Sequence, residues 1–113
     1  MPLIIYGDGS QTRDFVSVHD VVEAVLASMK SSKAEGQVFN IGSGKPTSIN
    51  ELAKTVLELA GVDLEIRYEK SRASDIKDSY ADISKAKKFL GYKPEVSLRA
   101  GLRALLEEKA VAT

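Results

Sequence analysis

The 113 residues include sixteen basic and sixteen acidic side chains, 43% apolar residues and no cysteine. A chain of this size builds one hydrophobic core, and its composition excludes a disordered, collagen-like or disulfide-stapled chain. Balanced charge gives no field to gather a polyanion, so neither nucleic acid nor an anionic membrane is an expected partner, and the absence of cysteine reads as cytoplasmic.

Leu3-Ile4-Ile5-Tyr6 is a β-prone run that stops at the turn-forming Gly7-Asp8-Gly9-Ser10. Its opening residues lack the length and charge of a signal peptide, and no apolar run approaches the roughly 18 residues of a membrane span. Asp20 is suited to capping a helix over about residues 21–31, with Val21, Val22, Ala24, Val25, Leu26 and Met29 as its apolar stripe. Gly36 then marks a turn before a second short strand, Gln37-Val38-Phe39-Asn40-Ile41, and a loop from Gly42 to Thr47.

Ser48-Ile49-Asn50-Glu51 is a capping box, in which Ser48 accepts from the third helical amide and Glu51 returns a bond to the amide of Ser48. Leu52, Val56, Leu59 and Ala60 supply the buried face of that helix, and Gly61 ends it. Alternation over Asp63–Tyr68 predicts an edge strand. After a polar loop, Asp82 can cap a short helix with Ile83, Ala86, Phe89 and Leu90, stopped by Gly91. Ser97 opens a last helix, with Leu98, Leu102, Leu105 and Leu106 on one side. The expected fold is one small mixed α/β domain, with α+β as the alternative, of three or four short strands and four helices.

The glycine loops fail the spacing that phosphate chemistry demands. A dinucleotide fingerprint puts its third glycine where Thr47 follows Gly42 and Gly44, and where Thr12 follows Gly7 and Gly9. A triphosphate loop fails as well, with Phe39 in place of its first glycine and Pro46 in place of its serine or threonine. The loop from Gly42 to Thr47 is read as a connection between a strand and a capped helix. One histidine and no cysteine support no metal site.

The stretch from Gly7 to Val22, containing Arg13-Asp14-Phe15-Val16, is more specific. With Val38-Phe39-Asn40-Ile41-Gly42-Ser43-Gly44, Arg72-Ala73-Ser74-Asp75, Tyr80-Ala81-Asp82-Ile83-Ser84-Lys85-Ala86 and Leu90-Gly91-Tyr92-Lys93-Pro94, it resembles the extended short-chain dehydrogenases that act on nucleotide sugars. UDP-glucose 4-epimerase and dTDP-glucose 4,6-dehydratase belong to that group. The resemblance implies that Arg13 and Arg72 grip the diphosphate of a UDP-sugar or related nucleotide sugar, that Asp75 lies near its ribose and phosphates, and that main chain and side chains around Ile4 and Tyr6 hold the base. Guanidinium groups suit this role because they offer planar, paired, charge-assisted hydrogen bonds to phosphate oxygens. Ser74 departs from the family, which usually has glycine there. By residue type alone, Arg13 also suits a surface ion pair with Asp14, Tyr6 a place in the core, and Asp20 a helix cap.

The resemblance further implies an NAD-dependent parent enzyme of the UDP-glucose 4-epimerase kind, with a dehydratase or reductase as the nearest alternative. Its chemistry uses a tyrosine with a lysine four residues later. Ser10, Arg72, Ser84 and Val96 occupy that place after the four tyrosines, so no catalytic pair is present and this chain holds no cofactor loop of its own. Residues 1–113 are therefore expected to be a carboxy-terminal substrate-binding domain, inactive alone, whose amino-terminal dinucleotide domain is absent. Surfaces shaped for such a domain favour self-association. A stand-alone interaction module, or a structural domain without ligand, are the rival readings.

Overall fold

The computed structural model describes residues 1–72 and 76–112, with side chains as far as residue 108. Strand β1 (Leu3–Tyr6) begins the chain and β2 (Thr12–Arg13) follows the glycine turn. Helix α1 (Val18–Lys30) leads into a single 3-10 turn at Ser32–Ala34. Strand β3 (Thr47–Ser48) runs directly into helix α2 (Ile49–Ala60), after which come β4 (Ile66–Glu69), α3 (Ser84–Leu90) and α4 (Leu98–Ala112). This is the expected mixed α/β architecture, with four strands and four α-helices among the described residues.

The strands form two separate pairs. β1 lies parallel to β4 in the register Leu3 to Ile66 and Tyr6 to Glu69, while β2 and β3 are antiparallel, with Arg13 opposite Thr47. The alternation over 63–68 therefore marks a strand that lies slightly later in the chain. Period-2 geometry buries Ile5 (4% exposed) and leaves Ile4 (49%) and Tyr6 (42%) facing outward.

The expected strand at Gln37–Ile41 does not form. Phe39 and Ile41 pack inward against the core, while Val38 and Asn40 are exposed. A strand also needs a neighbour, and the carbonyl of Val38 is instead taken by Lys85 Nζ at 2.8 Å. Periodicity records which side chains are covered, not whether the backbone has an edge to pair with.

The first helix starts three residues before its expected position. Ser17 caps it, its side chain accepting from His19 N at 3.2 Å. Asp20 is not a cap: it is 2% exposed, and its two oxygens accept from Glu95 N (3.0 Å) and Val96 N (3.1 Å). Two part-buried backbone amides take this carboxylate in place of the local cap. Only Ala24 of the apolar stripe is fully buried, and Val22, Val25, Leu26 and Met29 (78%) are exposed.

The second helix follows its sequence signals closely. Ser48 Oγ accepts from Glu51 N at 3.1 Å, and Gly61 closes the helix at φ 67°, a left-handed conformation that glycine adopts without a Cβ penalty. Among the described residues the return bond from Glu51 is absent, and Ala60 is exposed. Asp82 accepts from Ser84 N at 3.0 Å and from its hydroxyl, at the start of α3. Ser97 Oγ accepts from Ala100 N (3.1 Å), and Leu98, Leu102 and Leu106 of α4 are half-buried while Leu105 is exposed.

Ala24, Ile83, Ala86 and Tyr92 form the core, with Phe39, Ile41, Ala81 and Leu90 packed around them. Phe39 and Phe89 meet edge to face, centroids 6.0 Å apart. The core lies directly behind the cleft described next.

Candidate functional site

Two clusters carry the residues singled out in the sequence. The first lies along β1. Leu3 N and Gly7 N donate to Glu65 O and Glu69 O, so the alternation of a parallel ladder turns the backbone groups of Ile4 and Tyr6 to the opposite edge. There Gln11 Nε2 reaches the Tyr6 carbonyl at 2.9 Å. The Arg72 guanidinium carbon stands 4.5 Å from the centroid of the half-exposed Tyr6 ring, within the range of a cation–π contact. Tyr6 is therefore not a core residue, and the structure brings it together with Arg72.

The second cluster surrounds Arg13. The short β2–β3 pair anchors this residue, whose Nη1 donates to Thr12 O at 2.6 Å and to Lys77 O at 3.4 Å. Thr12 binds the same passing segment at three points. Its N–H donates to Lys77 O (2.8 Å), its hydroxyl to Asp78 Oδ1 (2.8 Å), and its carbonyl accepts from Ser79 N (3.1 Å). Arg13 lines an open cleft of about 590 Å³, with Phe39, Asn40, Ser79, Tyr80 and Asp82 among its walls.

Asp14, adjacent to Arg13, is the residue that the sequence reading undervalued. Its Oδ1 accepts from Ser43 N (2.8 Å) and Ser43 Oγ (2.6 Å), and its Oδ2 from Gly44 N (3.1 Å) and Ala81 N (3.1 Å). Both oxygens are thus occupied away from Arg13, and the ion pair suggested by residue type is not present among the described residues. Burial pushes the Asp14 carboxyl up, but the hydrogen bonds from Ser43, Ala81 and Gly44 outweigh it and hold it below the usual carboxylate value. Gly42 is the available sequence signal: a Cβ there would fall 2.5 Å from Asp14 Oδ2 and 2.9 Å from the Ala81 Cβ.

The sequence reading is corrected at this point, since the loop from Gly42 is more than a connection. It brings two distant segments onto one carboxylate. Tyr92, buried beneath it, donates its hydroxyl to Gly42 O at 2.8 Å. Burial, followed by the charges of Asp20 and Asp14, raises the Tyr92 phenol above its ordinary value.

The glycines do not form a cradle for a dinucleotide. The space beside Gly42 is filled by Asp14 and Ala81, and the space beside Gly9 by the Asn50 side chain. They serve close approach within the chain, and these two glycine loops do not fit a dinucleotide. Asp75 lies outside the described residues.

Solved structures place this geometry in context. A UDP-glucose 4-epimerase from Thermotoga maritima, solved with UDP-glucose, superimposes with a TM-score of 0.91 at 40% identity, covering 98% of this chain and 35% of that one. A UDP-glucuronic acid 4-epimerase from Bacillus cereus, solved with UDP-glucuronic acid and NAD, gives a TM-score of 0.88 at 35% identity, covering 99% and 36%. The fold is thus shared with about a third of the length of these two sugar epimerases.

The profile of the GDP-mannose 4,6 dehydratase family matches residues 1–105, and the chain belongs to that family. Among curated relatives, the UDP-glucuronate 4-epimerase of Thermodesulfobacterium geofontis is 40% identical over 103 residues, covering 90% of this chain and 31% of that protein. The chain spans about a third of the length of the curated relatives it matches.

Proposed function

We propose that this chain is the nucleotide-diphosphosugar-binding part of an NAD-dependent sugar epimerase, with UDP-glucose 4-epimerase as the specific activity. One observation carries the reading: the Arg13 guanidinium is held at the rim of an open cleft, while Arg72 lies on the exposed Tyr6 at the end of β1. Lys77 contacts Arg13, and five peptide steps separate Arg72 from Lys77. Such a stretch spans at most about 18 Å even when fully extended. That bound limits how far apart the two arginines can lie, and it supports the reading in which both serve one diphosphate.

The base belongs at β1. The outward backbone groups of Ile4 and Tyr6 offer a donor and acceptor row of the kind that reads the edge of a planar base, and the Tyr6 ring offers a face for stacking. Asp75 is assigned to the ribose and phosphate groups by sequence resemblance alone.

Residues 1–113 form the carboxy-terminal domain of this reading, and an amino-terminal dinucleotide domain supplies NAD, which takes and returns the hydride of the sugar. Absence of a tyrosine–lysine pair supports a chain that is inactive by itself. The exposed apolar stripe of α1, from Val22 to Met29, supports self-association of the isolated chain. The balanced charge supports neither nucleic acid nor membrane as a partner, and the lack of cysteine supports a cytoplasmic location. Because the matched family is a GDP-mannose dehydratase family, the dehydratase reading is kept as the alternative.

Calorimetric titration tests the proposal. Saturable binding of UDP-glucose in preference to GDP-mannose is expected, together with no conversion of UDP-glucose to UDP-galactose when NAD is added. Preference for GDP-mannose favours the dehydratase alternative, and silence toward both sugars rejects the assignment.

A further inference from the structure

Asp14 is placed to do more than brace a loop. Arg13 and Asp14 both border the cleft, but the Asp14 carboxylate is spent on donors within the chain. Each Asp14 oxygen receives two donors, Ser43 N and Oγ on one, Gly44 N and Ala81 N on the other. Only an ionised carboxylate accepts on both sides. An asparagine would turn its NH2 group toward at least one backbone N–H whichever way it flipped, Ser43 on one side or Gly44 and Ala81 on the other.

The consequence for Arg13 follows from the wall it touches. The segment from Lys77 to Ala81 is fastened at one end to Thr12, through Lys77, Asp78 and Ser79, and at the other to Asp14, through Ala81. Arg13 lies between those two anchors and rests its guanidinium on the Lys77 carbonyl. We propose that Asp14 is the positioning residue for Arg13, fixing the backbone behind it and the cleft wall before it so that the guanidinium is presented to a diphosphate. This rests on the diphosphate reading of the cleft given above.

A double-mutant cycle with UDP-glucose tests it, because the diphosphate of that ligand is a diester and does not titrate near neutral pH. Asp14→Asn is expected to weaken binding at least tenfold in a chain that keeps its amide dispersion by NMR. Added to Arg13→Ala, the same change is expected to cost less than a further twofold, since a residue that acts through Arg13 has nothing left to position. Equal losses in both backgrounds would assign Asp14 a general structural role and overturn the proposal. If Asp14→Asn does not fold, Ser43→Ala takes its place in the cycle, removing one of the four donors and keeping the carboxylate.

A second readout needs no ligand. The Arg13 side-chain N–H resonances, identified by their loss in Arg13→Lys, are expected to be shifted from the free-arginine position in the parent chain. They should collapse toward it in Asp14→Asn, or move toward it in Ser43→Ala. Should the parent chain fail to bind UDP-glucose, the function proposed above falls, and these resonances alone decide the positioning role. Arg13 signals that do not move in either variant overturn it.

Discussion

The Tyr92 hydroxyl donates to the carbonyl of Gly42, fifty positions away, across a 2.8 Å bond at the base of the cleft. The ring belongs to the core and the hydroxyl to the loop that meets Asp14, so one side chain joins packing to the candidate site. Tyr92→Phe keeps the ring and leaves that carbonyl without its partner. The expected loss is about 1–2 kcal/mol, read as a fall in melting temperature of roughly 4–16 °C for a domain of this size.

Arg13→Ala is expected to weaken UDP-glucose binding more than tenfold, since a charge-assisted hydrogen bond contributes roughly 1.5–3 kcal/mol. Calorimetry on a chain whose circular dichroism is unchanged makes the check. An unaltered dissociation constant would remove Arg13 from the site.

Asp20 and Ser48 should separate two kinds of hydrogen bond. Asp20→Ala removes a buried carboxylate that accepts from the backbone amides of Glu95 and Val96 and is expected to cost about 3 kcal/mol in chemical denaturation. Ser48→Ala loses one exposed cap and should cost about 1 kcal/mol, with no specific defect in ligand binding. Similar costs for the two would show that the Asp20 contacts contribute no more than a surface cap.

The acid limb of stability should depend on Asp14. Its folded-state pKa is depressed, so its contribution is complete above the unfolded value near 3.8 and is lost as pH falls through the lower folded value. Urea midpoints measured from pH 6 downward should fall less steeply in Asp14→Asn than in the parent. Asp8 and Asp82 are shifted the same way by their bonds to Ser10 and Ser84, so part of the limb should persist in the variant.

How far the sequence spoke depended on the range of the interaction. Ser48 and Gly61 act within one helical turn of themselves, and both take the expected roles. Asp20 looked like a cap because Asp is a cap residue, but its partners lie about 75 positions away, where no local pattern records them. Residues 37–41 read as a short strand after the Gly36 turn, but only Phe39 and Ile41 pack inward and the backbone has no strand to pair with among the described residues. Arg13, Arg72 and Tyr6 were singled out through the resemblance, and the structure sets Arg72 on Tyr6. Asp14 was overlooked, because a carboxylate beside an arginine reads as its counter-ion when its four donors are hidden at Ser43, Gly44 and Ala81.

Gly42 makes the backbone beneath the cleft behave like a keystone. With Asp14 Oδ2 on one side and the Ala81 methyl on the other, a single added methyl group would act as a wedge, prising apart strands of chain that are remote in sequence. Gly42→Ala should therefore loosen the cleft from its base while leaving Arg13 itself unchanged, so that a change one carbon in size is felt wherever the arch bears weight.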